Sequence, residues 1–145
     1  MEAYLIATAC TKFEKKADQT FKSLTEEVYC DLLESAKVEN GNMIGQAWFG
    51  NCGMGTFGQN NIRGQVCFTP LVQKKLFPER VGIINVEGGC ATGSMAFHGA
   101  WKDVISGTED VSLAIGVEKI YQPNQPEKIQ EIYDGGIDQF DRNEW

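Results

Sequence analysis

The sequence predicts an α/β fold in which a mostly parallel sheet is covered by helices on both sides. Short apolar runs alternate with segments whose apolar residues recur at helical spacing, giving the order βαβαβαβ. Of the 145 residues, 42% are hydrophobic and 23% are charged, which is typical of a globular domain. Parallel strands in this order need right-handed crossovers, and these place helices against the sheet.

The first third of the chain is predicted to contain two strands and one helix. Ala3 to Ala9 is a short apolar run typical of a buried strand. An apolar stripe at helical spacing comes next and consists of Phe21, Leu24, Val28, Leu32 and Ala36. Asp18 or Thr20 is placed to cap the start of this helix. Gly45 to Asn51 is predicted as the second strand.

Two less regular segments occupy the middle of the chain. Cys52 to Asn60 is rich in glycine, which indicates a loop whose backbone passes close to another group. Ile62 to Leu76 has helical character, but Thr69 and Pro70 lie inside it. Because proline disfavours the helical conformation of the residue before it, we expect this helix to break there.

Val81 to Val86 is predicted as the third strand, apolar on both faces as in a parallel sheet. A helix that Gly107 would end follows it. The residues that continue at helical spacing are Met95, Phe97, His98, Trp101, Val104 and Ile105. Because few polar residues interrupt positions 92–101, we expect this part of the helix to be largely buried between layers, with Trp101 in the core.

The fourth predicted strand, Val111 to Val117, completes the sheet. After Tyr121 the sequence becomes polar and acidic and contains proline. We therefore predict one folded unit over residues 1–121 and the start of a loop or linker region over residues 122–145.

Charge and cysteine usage exclude several classes of protein. The net charge of −7 leaves no basic stripe for nucleic acid. There is no apolar segment long enough to span a bilayer and no basic start typical of a signal peptide, so we expect a cytoplasmic protein without membrane partners. Five cysteines without CxxC spacing, beside a single histidine, indicate free thiols in a reducing compartment rather than a metal site.

Cys90 is the candidate catalytic residue. It follows the third predicted strand and two glycines, Gly88 and Gly89, and it opens the next helix among small residues. Glycines permit the sharp turn. A thiol in the first turn of a helix is near the positive end of the helix dipole, which favours the reactive thiolate. The spacing alone leaves two interpretations open: a nucleophile elbow with sulfur in place of oxygen, or a tight turn with an inert thiol.

Four stretches resemble the thiolase superfamily, and in order they cover nearly all of residues 3–121. One is NVEGGCATGSMAFHGAWKDVISG, which is similar to the segment where CA-[ST]-G-S opens a buried central helix. The second, DVSLAIGVEKI, resembles a strand that leads to a G-x-E-x-[MIL] turn. The third, GNCGMGTFGQNNIRGQ, resembles a GN…GQN-x-x-R stretch near the dimer interface of the family. The start, LIATACTKFEKKADQTF, resembles the sterol-carrier-protein branch, near acetyl-CoA acetyltransferase-like proteins including benzoylsuccinyl-CoA thiolases.

The resemblance implies CoA-dependent cleavage or formation of a 3-oxoacyl-CoA, with coenzyme A as substrate rather than as a bound cofactor. Cys90 matches the nucleophile that holds the acyl group as a thioester, and its backbone N–H would be one donor of an oxyanion hole. The resemblance also implies a histidine and a second cysteine, which act as acids and bases, in a second half of similar fold.

The sequence departs from the family pattern at this point. It contains none of the second-half motifs, and its only histidine, His98, lies eight residues after Cys90. That spacing is about 12 Å along a helix, beyond hydrogen-bond reach. We therefore expect the 145-residue chain to be inactive alone and to need a second-half domain. A thiolase-like aldolase, or a non-catalytic scaffold half of a heteromeric complex, remains the alternative.

Residues around the elbow have less specific interpretations. Glu87 is expected to cap the backbone N–H groups of the turn. For Cys52 and Cys67, one interpretation is an approach to the nucleophile, and the preferred one is that they are small buried hydrophobic residues. Four polar residues should fix the glycine-rich loop and a subunit contact: Asn51, Gln59, Asn60 and Arg63.

Assembly follows from the apolar content of the loop region. Trp48, Phe49, Met54 and Phe57 would expose a large apolar surface if nothing covered them. We therefore expect a partner surface to cover them. In the resembled family the GQN stretch lies at the two-fold contact, and the resemblance therefore implies a homo-oligomer with a symmetric contact through Gly50 to Arg63. The resemblance also implies acyl-CoA as a ligand and, as a further partner, a small OB-fold, zinc-ribbon subunit.

Overall fold

The computed structural model describes residues 2–141. Helices and strands alternate along most of the chain. The helices are α1 (Phe21–Ala36), α2 (Arg63–Gln73), α3 (Thr92–Ser106) and α4 (Lys128–Asp134). The strands are β1 (Gln46–Gly50), β2 (Gly82–Val86) and β3 (Ser112–Gly116).

The three strands form one parallel sheet in the order β2-β1-β3. Ala47 and Phe49 of β1 belong to the core that α1 and α2 cover. Trp48 points to the other face, where its indole Nε1 donates to Asp103 of α3 at 2.7 Å. Helices therefore lie on both faces of a parallel sheet, and the predicted α/β fold class is confirmed.

A cluster of aromatic rings forms the centre of the core. The side chains of Tyr29, Phe49 and Phe68 are almost completely buried. The Phe68 ring lies 4.5 Å from the ring of Phe77 and 6.0 Å from that of Tyr29, centroid to centroid, and both pairs meet edge to face. The Phe49 ring lies 6.2 Å from that of Phe68, so the cluster joins α1, α2 and β1 into one layer of side chains.

The start of α1 follows its sequence signal. Thr20, one of the two predicted caps, accepts a hydrogen bond from the N–H of Ser23 at 3.1 Å. The Ser23 hydroxyl in turn accepts from the N–H of Thr20 at 2.8 Å, so the two residues form a reciprocal capping box. Lys37, in the left-handed conformation with φ of 58°, ends the helix.

The strand predicted over Ala3 to Ala9 is wrong, and the sheet has three of the four predicted strands within the described residues. This segment is irregular, and Tyr4 remains 76% exposed. An apolar run forms a strand only where a neighbouring strand satisfies its backbone groups. Within residues 2–141, neither edge of the sheet takes up this segment.

The break predicted at Thr69 and Pro70 is also wrong, because α2 runs without interruption from Arg63 to Gln73. Proline removes one backbone N–H, and here it does so close to the end of the helix. Phe68 and Leu71, on either side of the proline, are buried in the core. Their packing holds the helix together despite the missing hydrogen bond.

The burial predicted for α3 is wrong within the described residues. Of positions 92–101, only four are buried: Thr92, Ala96, Gly99 and Ala100. Phe97 is 55% exposed, and Trp101, predicted in the core, is 42% exposed. The sheet covers one face of this helix, and no second layer in the described part of the chain, residues 2–141, covers the other. The predicted third strand is likewise exposed in part, because β2 lies at the sheet edge.

The predicted linker region contains a short helix in its described part. α4 contacts the 3-10 turn Gly53–Phe57, and Ile132 packs close to Gly53. Residues 142–145 of that region lie outside the described residues, and the domain boundary at residue 121 stays a prediction. None of the helices within residues 2–141 has the length and apolar character needed to cross a membrane.

Candidate active site

Cys90 lies on a tight connection between β2 and α3. The strand ends at Val86, and a 3-10 turn over Gly89–Ala91 leads into the helix at Thr92. Gly89 has a φ of 56°, a conformation that favours glycine. The strand–turn–helix elbow is therefore present as predicted, with Cys90 exposed in the turn just before α3 rather than inside the helix.

Thr92, the first residue of α3, stabilises the elbow through two hydrogen bonds of its side chain. Its hydroxyl accepts the N–H of Gly88 at 2.9 Å and donates to the carbonyl of Gly89 at 2.7 Å. The residue itself is buried. Both glycines before the nucleophile are thus held by one side chain.

Cys52 reaches the same turn from the end of β1. Its Sγ lies 3.1 Å from the Gly89 carbonyl oxygen and 3.0 Å from the Thr92 hydroxyl. Burial raises the pKa of the Cys52 thiol above its usual value, which keeps the S–H available as a donor. The prediction of a small hydrophobic residue is therefore wrong for Cys52. It holds for Cys67, which is fully buried on α2.

Two carboxylates complete this network. Glu87 accepts the N–H of Gly89 at 2.7 Å, which confirms its predicted capping role. Glu118, just past β3, accepts the N–H groups of Cys52 and Gly53. The ends of β1 and β3 and the elbow are thereby connected through Cys52.

The glycine-rich loop is fixed by polar contacts, as predicted. Asn51 is buried, and its amide donates to the Val117 carbonyl at 2.6 Å and accepts the N–H of Met54 at 2.9 Å. Arg63 donates to the Asn51 carbonyl at 2.7 Å and to that of Asn60 at 3.3 Å. These bonds position the backbone from which Cys52 reaches the elbow.

The apolar residues of this region do not form the surface predicted for them. Phe49 and Met54 are buried within the chain, and Trp48 and Phe57 are partly buried. The expectation that these side chains need a partner to cover them is therefore wrong, because α1, α2 and α3 already cover them. Between Gly50 and Arg63, the large apolar side chain that remains exposed is that of Ile62, at 60%.

A cleft of about 250 Å³ opens at the carboxyl ends of β1 and β2. Asn51, Arg63, Asn85 and Glu87 contribute to its walls. Ligands of parallel sheets bind at this end of the strands. Glu87 both lines this cleft and caps the turn that carries Cys90.

His98 lies on the exposed side of α3. Its ring stacks on that of Trp101, with the centroids 5.4 Å apart and the planes 15° apart. Across residues 2–141 there is no group of three or more His, Cys, Asp or Glu residues that could hold a metal ion.

Cys52, Thr92 and Glu118 act together at the elbow. Thr92 and Glu118 occupy the [ST] of CA-[ST]-G-S and the E of G-x-E-x-[MIL], but these motifs alone do not indicate what the two side chains contact. Thr92 had a local signal, since a hydroxyl two residues after the cysteine is placed to bond backbone groups of the turn. Cys52 had none, because its partner Gly89 lies 37 residues away. Glu118 meets Cys52 across 66 residues.

Comparison with known proteins identifies the family. The model of the thiolase N-terminal domain matches residues 3–137. The benzoylsuccinyl-CoA thiolase subunit BbsB of Thauera aromatica is 32% identical over 117 residues, which is 81% of this chain and 28% of that protein. An acetyl-CoA acetyltransferase of Methanocaldococcus jannaschii is 32% identical over 117 residues, 80% of this chain and 28% of the relative.

An acetyl-CoA acetyltransferase of Methanothermobacter thermautotrophicus is 28% identical over 121 residues, covering 80% of this chain and 29% of that relative. The chain thus spans less than a third of the length of these relatives. The match to the family model includes both the glycine-rich loop and the elbow that carries Cys90. The chain belongs to the thiolase N-terminal domain family.

Proposed function

We propose that the protein containing this chain is a thiolase-type acyltransferase and that Cys90 is its nucleophile. One observation carries the proposal: Cys90 is exposed on a turn between a strand and a helix, inside the segment that matches the family model. The names of the relatives, acetyl-CoA acetyltransferase and benzoylsuccinyl-CoA thiolase subunit, support the same chemistry.

The reaction would proceed in two transfers. Cys90 gives its proton to a base, and its thiolate attacks the 3-oxo carbonyl of a 3-oxoacyl-CoA. The bond between carbons 2 and 3 breaks, and the departing acetyl-CoA enolate takes a proton. The shortened acyl group stays on Cys90 as a thioester until the thiolate of coenzyme A attacks it and releases Cys90. The Cys90 N–H stabilises the oxyanion in both transfers.

The base and the acid would come from a second-half thiolase domain. His98 is on the exposed side of α3, stacked on Trp101, so it does not serve as the base. The length of the relatives, of which the chain covers 28%, supports a further catalytic part. The exposed side chains of Met95, Phe97 and Trp101 on α3 offer that domain an apolar face.

Further partners follow the same reasoning. A symmetric contact between copies of the chain through Gly50 to Arg63 would cover Ile62, and a small OB-fold, zinc-ribbon subunit would be an additional component. BbsB is itself named as a subunit, which supports a heteromeric assembly.

Thiol alkylation tests the nucleophile directly. The complete enzyme is treated with limiting iodoacetamide, and each cysteine peptide is quantified by mass spectrometry. We expect Cys90 to be labelled before Cys10 and Cys30, which are also exposed and serve as internal controls. Prior incubation with acetyl-CoA should protect Cys90 alone. If Cys90 reacts no faster than the controls and gains no protection, the aldolase or scaffold alternative replaces the proposal.

A further inference from the structure

The geometry points to a positioning role for Cys52 and Thr92 in acyl transfer. We infer that they hold the peptide bond between Gly89 and Cys90 so that the Cys90 N–H faces the oxygen of the reacting acyl group. The inference rests on the proposed function, because it assigns residues that act through the nucleophile's own backbone.

A planar trans peptide couples two groups that lie on opposite sides of it. The carbonyl of Gly89 and the N–H of Cys90 belong to the same peptide and point in opposite directions. Whatever fixes the Gly89 oxygen therefore also fixes the direction of the Cys90 N–H.

The Gly89 oxygen is held by several donors at once. It accepts the Thr92 N–H, the Thr92 hydroxyl at 2.7 Å and the Cys52 thiol at 3.1 Å. Within residues 2–141, the N–H of Cys90 has no acceptor of its own. One side of the peptide is thus anchored, while the other is left free to meet a substrate oxygen.

This peptide needs external support because its own backbone supplies little. Gly88 and Gly89 precede it, and glycine samples more conformations than other residues. The 3-10 turn that contains it is only three residues long. Side chains from outside the turn therefore supply the rigidity that a regular helix would provide.

Cys52 provides that support from a separate element. Its backbone N–H is bound by Glu118, and its carbonyl faces the guanidinium of Arg63 at 3.4 Å. Its thiol therefore projects from a fixed point at the end of β1. Since burial raises the pKa of this thiol, it keeps the proton that it donates.

The inferred role predicts different effects on two reactions of the Cys90 sulfur, acylation and alkylation. Acylation of Cys90 by acetyl-CoA passes through an oxyanion, forms the Cys90–acetyl thioester and releases coenzyme A, which takes the thiol proton. Alkylation by iodoacetamide displaces iodide at a saturated carbon, so no oxyanion forms. A displaced Cys90 N–H should slow the first reaction and spare the second.

The test uses the complete enzyme and measures both rates at Cys90 by quenched mass spectrometry, with acetyl-CoA and iodoacetamide as the probes. In Cys52→Ala and Thr92→Val, we expect acylation to slow at least about ten-fold while alkylation changes less than about two-fold. Thr92→Ser keeps the hydroxyl and should acylate at close to the normal rate. Cys67→Ala is the matched control. It also removes a thiol that is shielded from solvent, but Cys67 lies in the core and does not contact the elbow.

Four outcomes would count against the account, and they are distinguishable. Unchanged acylation in both Cys52→Ala and Thr92→Val overturns the inference. An equal loss of acylation and alkylation, or a loss in Thr92→Ser as large as in Thr92→Val, also overturns it, because the effect would then be one on general structure. If the unaltered enzyme forms no acyl group on Cys90 at all, the proposed function itself fails.

Discussion

Replacing Cys90 with alanine in the complete enzyme is expected to reduce CoA-dependent cleavage of a 3-oxoacyl-CoA by more than about a thousand-fold. Without the sulfur, no acyl thioester can form, and the remaining binding energy cannot replace a covalent intermediate. Initial rates with acetoacetyl-CoA and coenzyme A measure the effect. Alanine suits a short turn beside a helix, so the fold should be retained, as circular dichroism would verify.

The matched control is Cys30→Ala, which removes an exposed thiol from α1. Its activity should stay near that of the unaltered enzyme, because Cys30 lies on a different element from the elbow. Near-normal cleavage by Cys90→Ala would contradict the nucleophile assignment. The thiolase-like aldolase or the scaffold half would then be the better description.

Phe68→Ala is expected to lower the free energy of unfolding by about 3–5 kcal/mol. The side chain is 1% exposed, and its ring contacts those of Tyr29, Phe49 and Phe77. Truncation removes the buried apolar area and leaves a cavity where α1, α2 and β1 meet. Urea unfolding of the complete enzyme, followed by tryptophan fluorescence, measures the change.

The control for this variant is Gln73→Ala, an exposed position on the same helix. It should change the free energy of unfolding by less than about 0.5 kcal/mol. If Phe68→Ala were no more destabilising than Gln73→Ala, the aromatic cluster would not be the centre of the core.

Local elements were predictable because their signals lie within a few residues. The stripe from Phe21 to Ala36, the Thr20 cap and the apolar strand around Trp48 each depend on near neighbours in sequence. The predictions that are wrong concern pairing and burial, which depend on residues distant in sequence. Ala3 to Ala9 has the composition of a strand, yet no neighbouring strand pairs with it within residues 2–141. The sequence of α3 likewise cannot indicate that the sheet covers only one of its faces.

In the candidate site, too, local sequence indicates some residues, while only the fold brings others into place. Cys90 stands out because glycines, a preceding strand and a following helix are adjacent to it in sequence. The side chain of Cys52 reaches the turn that carries Cys90 only through the fold, since β1 and β2 are paired in register from Gln46 and Gly82 to Gly50 and Val86. That pairing brings the residues after each strand together, which no local pattern encodes.

Trapping the acyl-enzyme tests the central claim most directly. The complete enzyme is mixed with acetyl-CoA, quenched in acid and digested, and all five cysteines are examined by mass spectrometry. We predict an acetyl thioester on Cys90 alone, which disappears when coenzyme A is added before the quench. An acetyl group on a different cysteine, or on none, would contradict the assignment of Cys90 as the nucleophile.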